Sequence, residues 1–421
     1  MAKDSERPLS DPTATEETEQ TPHILKRHRD GSNVTNIGTR FQARWTTRRR
    51  LIAVLSALLA LLVILGAVSL VVFRDKLNLD RARRWLNYLN VETRRGVAEQ
   101  YSFESHKSNV YAPSGDGLAI GSVSGLTVFD VSGNVLASQQ AAVSSPCLKA
   151  SRGAVILADL GRKTLCRADL DNGETATVTL EDNIYAADMA ANGSFVVLTG
   201  GQDCKAIARV YNAAGTELFQ WRSATHHLTG AALKDDGSML AVAAGTSEAL
   251  TYHSILQLLS TASSEGPTEI DLGEDPILML DYLGASVVAL GQEQVSIVDK
   301  NGEIAAQYAY DTRAVTGYAA TDGFAAISMD AGLTGQLPML TTLNENGDIL
   351  GQAYLTAAVK SLSAAGKYVA VLCGDTVTVY NRDLSVYAQL AGQSGVSQAL
   401  MRTDGTVLLV GGGQATLYIP D

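Results

Sequence analysis

The chain has 421 residues, of which 46% are hydrophobic, 6% aromatic and 18% charged. This composition supports a buried core and excludes an intrinsically disordered chain, a collagen and a disulfide-rich scaffold. A single core rarely exceeds ~300 residues, so the length favours several domains or a repeat architecture. Residues 1–96 hold 17 Lys and Arg against 10 Asp and Glu, whereas residues 97–421 hold 16 against 34. The two parts have opposite charge, and the acidic part disfavours nucleic-acid binding.

Residues 1–50 are rich in Thr, Glu and Arg and lack apolar periodicity, which predicts a disordered tail. Basic residues from Arg40 to Arg50 are expected to attract anionic lipid headgroups. Four threonines stand among glutamates and are candidate phosphorylation sites: Thr13, Thr15, Thr18 and Thr21. The alternative is a solvated tail without modification.

The segment from Leu51 to Phe73 contains 23 residues without a charge. As a helix it would measure ~34 Å, which is enough to cross a hydrocarbon core of ~30 Å. Its length and its distance from the N-terminus favour an uncleaved anchor over a signal peptide. We therefore predict a single-pass protein of the cell membrane, with the lipid bilayer as a partner. The basic tail and the large following domain predict a cytoplasmic N-terminus and an extracytoplasmic acidic domain.

Residues 74–96 are predicted to form an amphipathic juxtamembrane helix. Four apolar residues recur there at helical spacing: Leu79, Ala82, Leu86 and Leu89. Trp85 and Tyr88 suit the headgroup layer of a membrane. They equally suit a stalk helix that packs beneath a globular domain, and the sequence leaves both interpretations open.

Residues 97–421 contain a repeat of about forty residues. Each of eight units has a glycine followed at once by a run of small and β-branched residues: Gly117, Gly153, Gly193, Gly237, Gly284, Gly323, Gly366 and Gly405. Each unit contains four short strand-like runs and no helical periodicity, which is typical of a β-propeller blade. We predict an all-β propeller of eight four-stranded blades, with seven blades as the alternative.

Four units carry an Asx-x-x-Gly pattern between their second and third apolar runs: Asp130 to Gly133, Asn212 to Gly215, Asp299 to Gly302 and Asn344 to Gly347. An Asx side chain caps the backbone of a turn and glycine adopts positive φ, so these patterns predict hairpins.

The last unit ends at Asp421 without a final strand. The segment from Val97 to Phe103 (VAEQYSF) resembles the corresponding run from Ile304 to Tyr310 (IAAQYAY) in another unit. We therefore predict that the N-terminal strand completes the last blade. Such a closure removes an open sheet edge that would otherwise invite aggregation.

The blade layout resembles that of WD40 and pyrroloquinoline-quinone-type propellers. The pairs Phe129-Asp130, Tyr211-Asn212 and Tyr380-Asn381 occupy the place of the Trp-Asp pair, while the Gly-His half of the WD40 signature is absent. The segment from Asn212 to Trp221 looks like the tryptophan-bearing quinoprotein repeat. The arrangement of tail, span, helix and propeller resembles an uncharacterised family of bacterial membrane-tethered propeller proteins, which implies no known activity.

Motifs for a metal site, a phosphate-binding loop, a dinucleotide site and a serine nucleophile are missing, so the sequence assigns no catalytic residue, metal or cofactor. Ligands of propellers usually bind at the axial channel or on a loop face. Asp188 and Asp281 are predicted in innermost strands and are therefore the channel candidates. The four cysteines are predicted core residues whose spacing leaves their disulfide state open: Cys147, Cys166, Cys204 and Cys373.

The leading hypothesis is a non-enzymatic binding or assembly scaffold for an envelope protein or a cell-wall polymer. One alternative is a channel-based enzyme, either a glycan hydrolase or lyase or a quinoprotein-like oxidoreductase. Another is a transmembrane sensor that signals through the tail. The sequence indicates neither the identity of the ligand nor the oligomeric state.

Overall fold

The structure is a computed structural model that describes residues 52–65, 84, 88, 93–94, 96–248, 251–332 and 336–420. The chain divides into two compact units, Met1–Leu77 and Asn78–Asp421. In the first unit, residues 52–65 are helical and their side chains are exposed. None of the helices in the described part of the chain is both long and apolar enough to cross a membrane. The rest of the predicted span lies outside the described residues, as do residues 1–50 with the four candidate threonines.

The second unit contains eight antiparallel sheets, which we number as blades 1 to 8 along the chain. Two strands, β1 (Thr93–Arg94) and β2 (Val97–Ser102), precede blade 1. Blade 1 consists of β3 (Val110–Ser114), β4 (Gly117–Ser122), β5 (Gly125–Phe129) and β6 (Val135–Gln140). Blade 2 consists of β7 (Pro146–Ala150), β8 (Ala154–Asp159), β9 (Thr164–Asp169) and β10 (Glu174–Thr179). Blade 3 consists of β11 (Ile184–Met189), β12 (Phe195–Thr199), β13 (Ala206–Tyr211) and β14 (Glu217–Ser223).

The remaining blades repeat this order. Blade 4 consists of β15 (His227–Leu233), β16 (Met239–Glu248), β17 (Thr251–Ser260) and β18 (Thr268–Asp271). Blade 5 consists of β19 (Ile277–Leu283), β20 (Ser286–Gly291), β21 (Gln294–Val298) and β22 (Ile304–Ala309). Blade 6 consists of β23 (Val315–Thr321), β24 (Phe324–Met329), β25 (Met339–Leu343) and β26 (Ile349–Tyr354). Blade 7 consists of β27 (Val359–Ala365), β28 (Tyr368–Cys373), β29 (Thr376–Asn381) and β30 (Val386–Leu390). Blade 8 begins with β31 (Gln398–Met401), β32 (Val407–Gly411) and β33 (Gln414–Tyr418).

The burial of each strand follows from its place in the blade. The first strands of successive blades are neighbours and surround the central axis. The second strands β8, β20 and β24 are buried on both faces, which explains their continuous apolar sequences. Eight apolar clusters of described residues each join two adjacent blades, including the pair formed by blades 8 and 1. The structure therefore confirms the predicted propeller of eight four-stranded blades.

The predicted hairpin turns are also confirmed. In the first of them, the Gly133 amide donates to the Asp130 carbonyl at 3.1 Å, and Asp130 Oδ1 accepts from the amide of Ser132 at 2.8 Å. The four turn glycines have φ between 82° and 84°: Gly133, Gly215, Gly302 and Gly347. A residue with a Cβ avoids this region, so the glycines are required by the geometry of the turn.

Strand β2 closes the ring. It pairs antiparallel with β33, with Tyr101 opposite Ala415 and Ser102 opposite Gln414. Tyr101 also packs against Phe129 of blade 1, with ring centroids 5.6 Å apart. Blade 8 thus receives its outer strand from the start of the domain, as the sequence predicted.

The structure corrects the predicted helix over residues 74–96 at its C-terminal end. Thr93–Arg94 form a strand that pairs with Val97 and Ala98 through a tight turn at Gly96, whose φ of 76° suits glycine. Glycine adopts positive φ without strain and therefore permits this hairpin. Sheet structure therefore begins before residue 97.

Arg84 and Tyr88 belong to a helical turn, in which the Tyr88 amide donates to the Arg84 carbonyl at 2.9 Å. Arg84 is 2% exposed, and its guanidinium donates to the carbonyl oxygen of Asp404 at 3.0 Å and to the hydroxyl of Tyr387. These described residues match the stalk interpretation, since they contact the propeller.

All four cysteines are free thiols. Cys166 is buried, and the other three are half-buried. Burial raises the pKa of the thiols of Cys147, Cys166 and Cys373, which favours the uncharged form. The predicted core position therefore holds for Cys166, whereas Cys147, Cys204 and Cys373 are only partly buried.

Candidate functional site

Asp188 lies on the innermost strand β11 and connects three blades. Its Oδ1 accepts from Lys149 Nζ of β7 in blade 2 at 2.8 Å. Its Oδ2 accepts from the backbone amide of Leu233, on β15 of blade 4, at 3.0 Å. The Asp188 side chain is 15% exposed and that of Lys149 is 42% exposed. The charge of Asp188 raises the pKa of the Lys149 ammonium above its usual value, so the cation persists.

Asp281 lies on the innermost strand β19 of blade 5. Burial and the negative charge of Asp188 raise the pKa of Asp281 to about 7, although Lys149 partly offsets this effect. The only hydrogen bond that Oδ1 of Asp281 receives in the described part of the chain comes from the Tyr282 amide, at 3.0 Å. The two channel candidates therefore influence each other electrostatically, and Asp281 exchanges a proton near neutral pH.

A second acidic pair lies in the turns that follow two innermost strands. Asp235 follows β15 of blade 4, and Asp322 follows β23 of blade 6. A hydrogen bond between the two carboxyl groups, with partial burial, raises the pKa of Asp235 to about 6. Asp235 therefore keeps its proton at mildly acidic pH and has largely lost it at neutral pH, where the two carboxylates repel each other.

These groups allow proton exchange and recognition of a cation or a hydrogen-bond donor. Within the described ranges, no three His, Cys, Asp or Glu residues converge closely enough to hold a metal ion. Asp188 is held by a lysine and a backbone amide, which gives it a structural role between blades. Of the two channel candidates, Asp281 has the fewer hydrogen-bond partners among the described residues.

The sequence predicted that Asp188 and Asp281 lie on innermost strands, and in the structure they lie on the innermost strands β11 and β19. It missed Lys149, although a lone lysine in an otherwise apolar strand was a usable signal. It also missed Asp235 and Asp322, because their Asp-Gly contexts indicate ordinary turns.

An open cleft lies on one loop face, at the edge of blade 5. Its volume is about 700 Å³, and its walls come from the loops that precede β19, join β20 to β21 and precede β23. Asp275 orders this wall, since its carboxylate accepts hydrogen bonds from the amides of Gln292, Glu293 and Gln294 at 2.8 to 3.1 Å. The cleft is therefore a preformed acidic surface feature.

No curated protein sequence matches this chain. Among solved structures, the C-terminal WD40 domain of Sif2 is similar, with a TM-score of 0.55 and 10% identity, over 78% of this chain and 100% of that chain. The computationally designed Ika8 protein is similar with a TM-score of 0.53 and 18% identity, over 76% of this chain and 98% of its own. At these identities the likeness shows the fold alone. A family described as "Family of unknown function (DUF5711)" matches residues 89–387, which is well over half of the chain. The chain therefore belongs to the DUF5711 family of unknown function.

Proposed function

We propose that this protein is a membrane-anchored propeller that acts outside the cytoplasm as a non-enzymatic binding or assembly scaffold for an envelope protein or a cell-wall polymer. A rigid ring that carries loops on both faces suits binding more readily than a specific chemistry.

The observation that carries the scaffold proposal is the placement of Asp188. A carboxylate that served as a catalytic base would need access to a substrate proton. Both carboxylate oxygens of Asp188 instead accept hydrogen bonds, one from Lys149 of blade 2 and one from the Leu233 amide of blade 4. A channel group with this role stabilises the relative position of blades, and a fixed ring is the property that a scaffold requires.

The anchoring part of the proposal rests on the uncharged run from Leu51 to Phe73. Residues 52–65 of this run are helical, and Leu55 and Leu59 are 68% and 65% exposed. Exposed leucines on a helix need an apolar environment, which a bilayer supplies. The basic tail supports a cytoplasmic N-terminus.

Fractionation and protease treatment test the anchor and its orientation. We expect the full chain to remain with membranes after an alkaline carbonate wash, and a chain without residues 51–73 to be released. Protease added to intact cells with a permeable outer layer should digest the propeller and spare the tail. Release of the full chain by carbonate would contradict the anchor, and protection of the propeller until lysis would reverse the orientation.

Crosslinking in the producing cell tests the scaffold role. We expect a cleavable crosslinker to capture a discrete neighbour of the tagged full chain, and a tagged chain of residues 1–96 to capture none of it. The same neighbour should appear in equal yield with Asp281→Asn, since binding does not require proton exchange. Failure to capture any neighbour that depends on the propeller would contradict the proposal.

One observation favours an enzyme as the second candidate. The pKa of Asp281 at about 7 suits a general acid or base at neutral pH. A glycan hydrolase or lyase would lose turnover in the Asp281→Asn variant while it kept its substrate affinity. Release of reducing ends from purified cell-wall glycan by the wild-type chain, and none by the variant, would favour the enzyme over the scaffold.

A further inference from the structure

Five consecutive blades carry the same irregularity in their innermost strand. In blades 3 to 7, one residue near the start of that strand has no partner on the second strand, so the strand contains a β-bulge. The bulged residues are Tyr185, Thr229, Leu278, Thr316 and Lys360, and all are exposed. Bulges redirect side chains and often occur at rims and functional sites. We name these five residues the bulged rim.

The bulged rim lies on the loop face that also bears the cleft of blade 5. Leu278 follows the cleft loop that contains Glu274 and Asp275, and it is 57% exposed. Its neighbour Met279 is 48% exposed, as is Tyr185 on blade 3. Exposed large apolar side chains near a channel mouth are typical of an interaction surface.

A projecting hairpin on blade 4 extends this face. Strands β16 and β17 have ten residues each. The pairing of β16 with β15 ends at Gly245, and the pairing of β17 with β18 ends at Ile255. Three pairs between β16 and β17, from Thr246 with His253 to Glu248 with Thr251, therefore form a ribbon beyond the sheet. Among the described residues, the backbone edges of this ribbon pair with no further strand, so they suit the addition of an extended strand from a partner.

The accessible charge of the cleft is negative. The carboxylates of Glu274, Glu293 and Asp311 make no hydrogen bond or ion pair within the described part of the chain. The one guanidinium in the cleft wall belongs to Arg313, which donates to the carbonyl oxygens of Asp330 and Leu337 at 2.7 and 3.0 Å. Residues 97–421 as a whole hold 34 acidic against 16 basic side chains.

We propose that the bulged rim, the blade 4 hairpin and the blade 5 cleft form one docking surface for an extended polypeptide segment that carries lysine or arginine together with apolar residues. This inference rests on the proposed scaffold function and assigns its partner as a protein. Charge complementarity at the cleft selects a cationic chain, since an anionic polymer would be repelled by the cleft carboxylates. The one basic residue of the bulged rim, Lys360, donates to the Gly374 carbonyl. The exposed leucine, methionine and tyrosine supply apolar contact, and the hairpin edge supplies backbone hydrogen bonds.

The test uses the purified full chain in nanodiscs of neutral phosphatidylcholine and two labelled peptides, built from three repeats of Lys-Gly-Tyr-Gly or of Glu-Gly-Tyr-Gly. Fluorescence anisotropy should show the lysine peptide binding at least about tenfold more tightly than the glutamate peptide, with empty nanodiscs as the blank. Leu278→Ser and Glu293→Lys should each weaken the lysine peptide about tenfold. Leu136→Ser is the matched control, since Leu136 is 52% exposed on an outer strand; it should leave binding unchanged.

Equal binding of the two peptides would overturn the inference, as would an equal loss in the Leu136→Ser control. A photoreactive residue at position 278 then identifies the partner in the producing cell. A lysine- or arginine-bearing segment of another protein supports the inference, whereas a crosslink to residues 1–50 of this chain overturns it. A propeller-dependent neighbour captured through another surface would overturn this inference and leave the scaffold function intact.

Discussion

The Tyr88 hydroxyl donates a hydrogen bond to Oδ2 of Asp404 at 2.8 Å, which links the segment before the first strand to the last blade. Burial and the Asp404 carboxylate help to raise the pKa of Tyr88 to about 12, so the hydroxyl keeps its proton. Arg84, one helical turn earlier, donates to the Asp404 carbonyl. The ring is therefore held at its closure by strand β2 and by this preceding turn.

Tyr88→Phe tests this link. The change removes one hydrogen bond and leaves the Asp404 carboxylate without its tyrosine partner, so we expect the free energy of unfolding to fall by about 1 kcal/mol. Urea denaturation of the wild type and the variant measures the loss. Tyr354→Phe is the control, because Tyr354 is 68% exposed. Equal stability of Tyr88→Phe and Tyr354→Phe would show that the link does not stabilise the ring.

Gly133→Ala tests the seam between the closing strand and blade 1. A Cβ at Gly133 would lie 2.5 Å from Cβ of Tyr101 on β2, and Gly133 has a φ of 82°. Gly173→Ala is the matched control, since Gly173 has a φ of 72° but no atom within 4 Å of its added Cβ. Both variants carry the backbone strain, and only the first carries the clash. We expect Gly133→Ala to lose about 2 kcal/mol more than Gly173→Ala in urea denaturation; an equal loss would contradict the packing of Tyr101.

Asp281→Asn tests the pH dependence of the channel. The pKa of Asp281 rises from 3.8 to about 7 on folding, so the folded state favours the protonated carboxyl. The native state then binds more protons than the unfolded state between these values, and stability falls as the pH rises through this window. Asparagine carries no charge, so the variant should be more stable than the wild type at pH 8 by up to about 4 kcal/mol. This advantage should shrink as the pH approaches 4.

Thermal unfolding from about pH 4 to 8 measures the effect. Asp203→Asn serves as control, because Asp203 is exposed and makes no hydrogen bond through its side chain within the described residues. If the wild type instead gained thermal stability relative to Asp281→Asn as the pH rises to 8, the pH dependence would have the opposite sign. That result would refute the raised pKa of Asp281.

Lys149→Met tests the coupling between the channel groups. Lys149 pairs with Asp188 and lowers the pKa of Asp281, so its loss should move the titration of Asp281 to higher pH. To measure that shift, the stability of Lys149→Met is compared with that of the double variant Lys149→Met/Asp281→Asn over a range of pH. The two proteins differ only at position 281, so the pH dependence of their stability difference gives the pKa of Asp281. Lys300→Met is the control, because Lys300 is exposed in the β21–β22 turn. An unchanged titration would mean that Lys149 does not act on Asp281.

Local patterns made the blades predictable. The turn from Asp130 to Gly133 needs only one Asx side chain and one glycine at positive φ, and both are visible in the sequence. The closing strand was predictable because its sequence resembles β22, which has the same place in blade 5. Because every blade repeats the same order of strands and turns, the strands of one blade could be predicted by comparison with the sequences of the others.

The candidate site was only partly predictable. Strand patterns placed Asp188 and Asp281 near the axis, but the ion pair with Lys149 depends on the rotation between blades, which no local pattern encodes. The interaction between Asp235 and Asp322, in turns of blades 4 and 6, has no sequence signal of its own. The bulges at Tyr185 and Leu278 were likewise invisible, because an unpaired strand residue leaves no distinctive spacing.

The most direct test of the closed ring is a disulfide between β2 and β33. Ser102 and Gln414 are opposite each other in this pair, and both side chains are exposed. Ser102→Cys combined with Gln414→Cys should form an intramolecular disulfide, which mass spectrometry of a non-reduced digest of the monomer would detect. Ser102→Cys combined with Gln294→Cys is the matched control, since Gln294 begins the third strand of blade 5 as Gln414 begins that of blade 8. A ring closed by β2 predicts the crosslink only in the first variant. Absence of that crosslink, its formation only between two chains, or an equal crosslink in the control would contradict the closure.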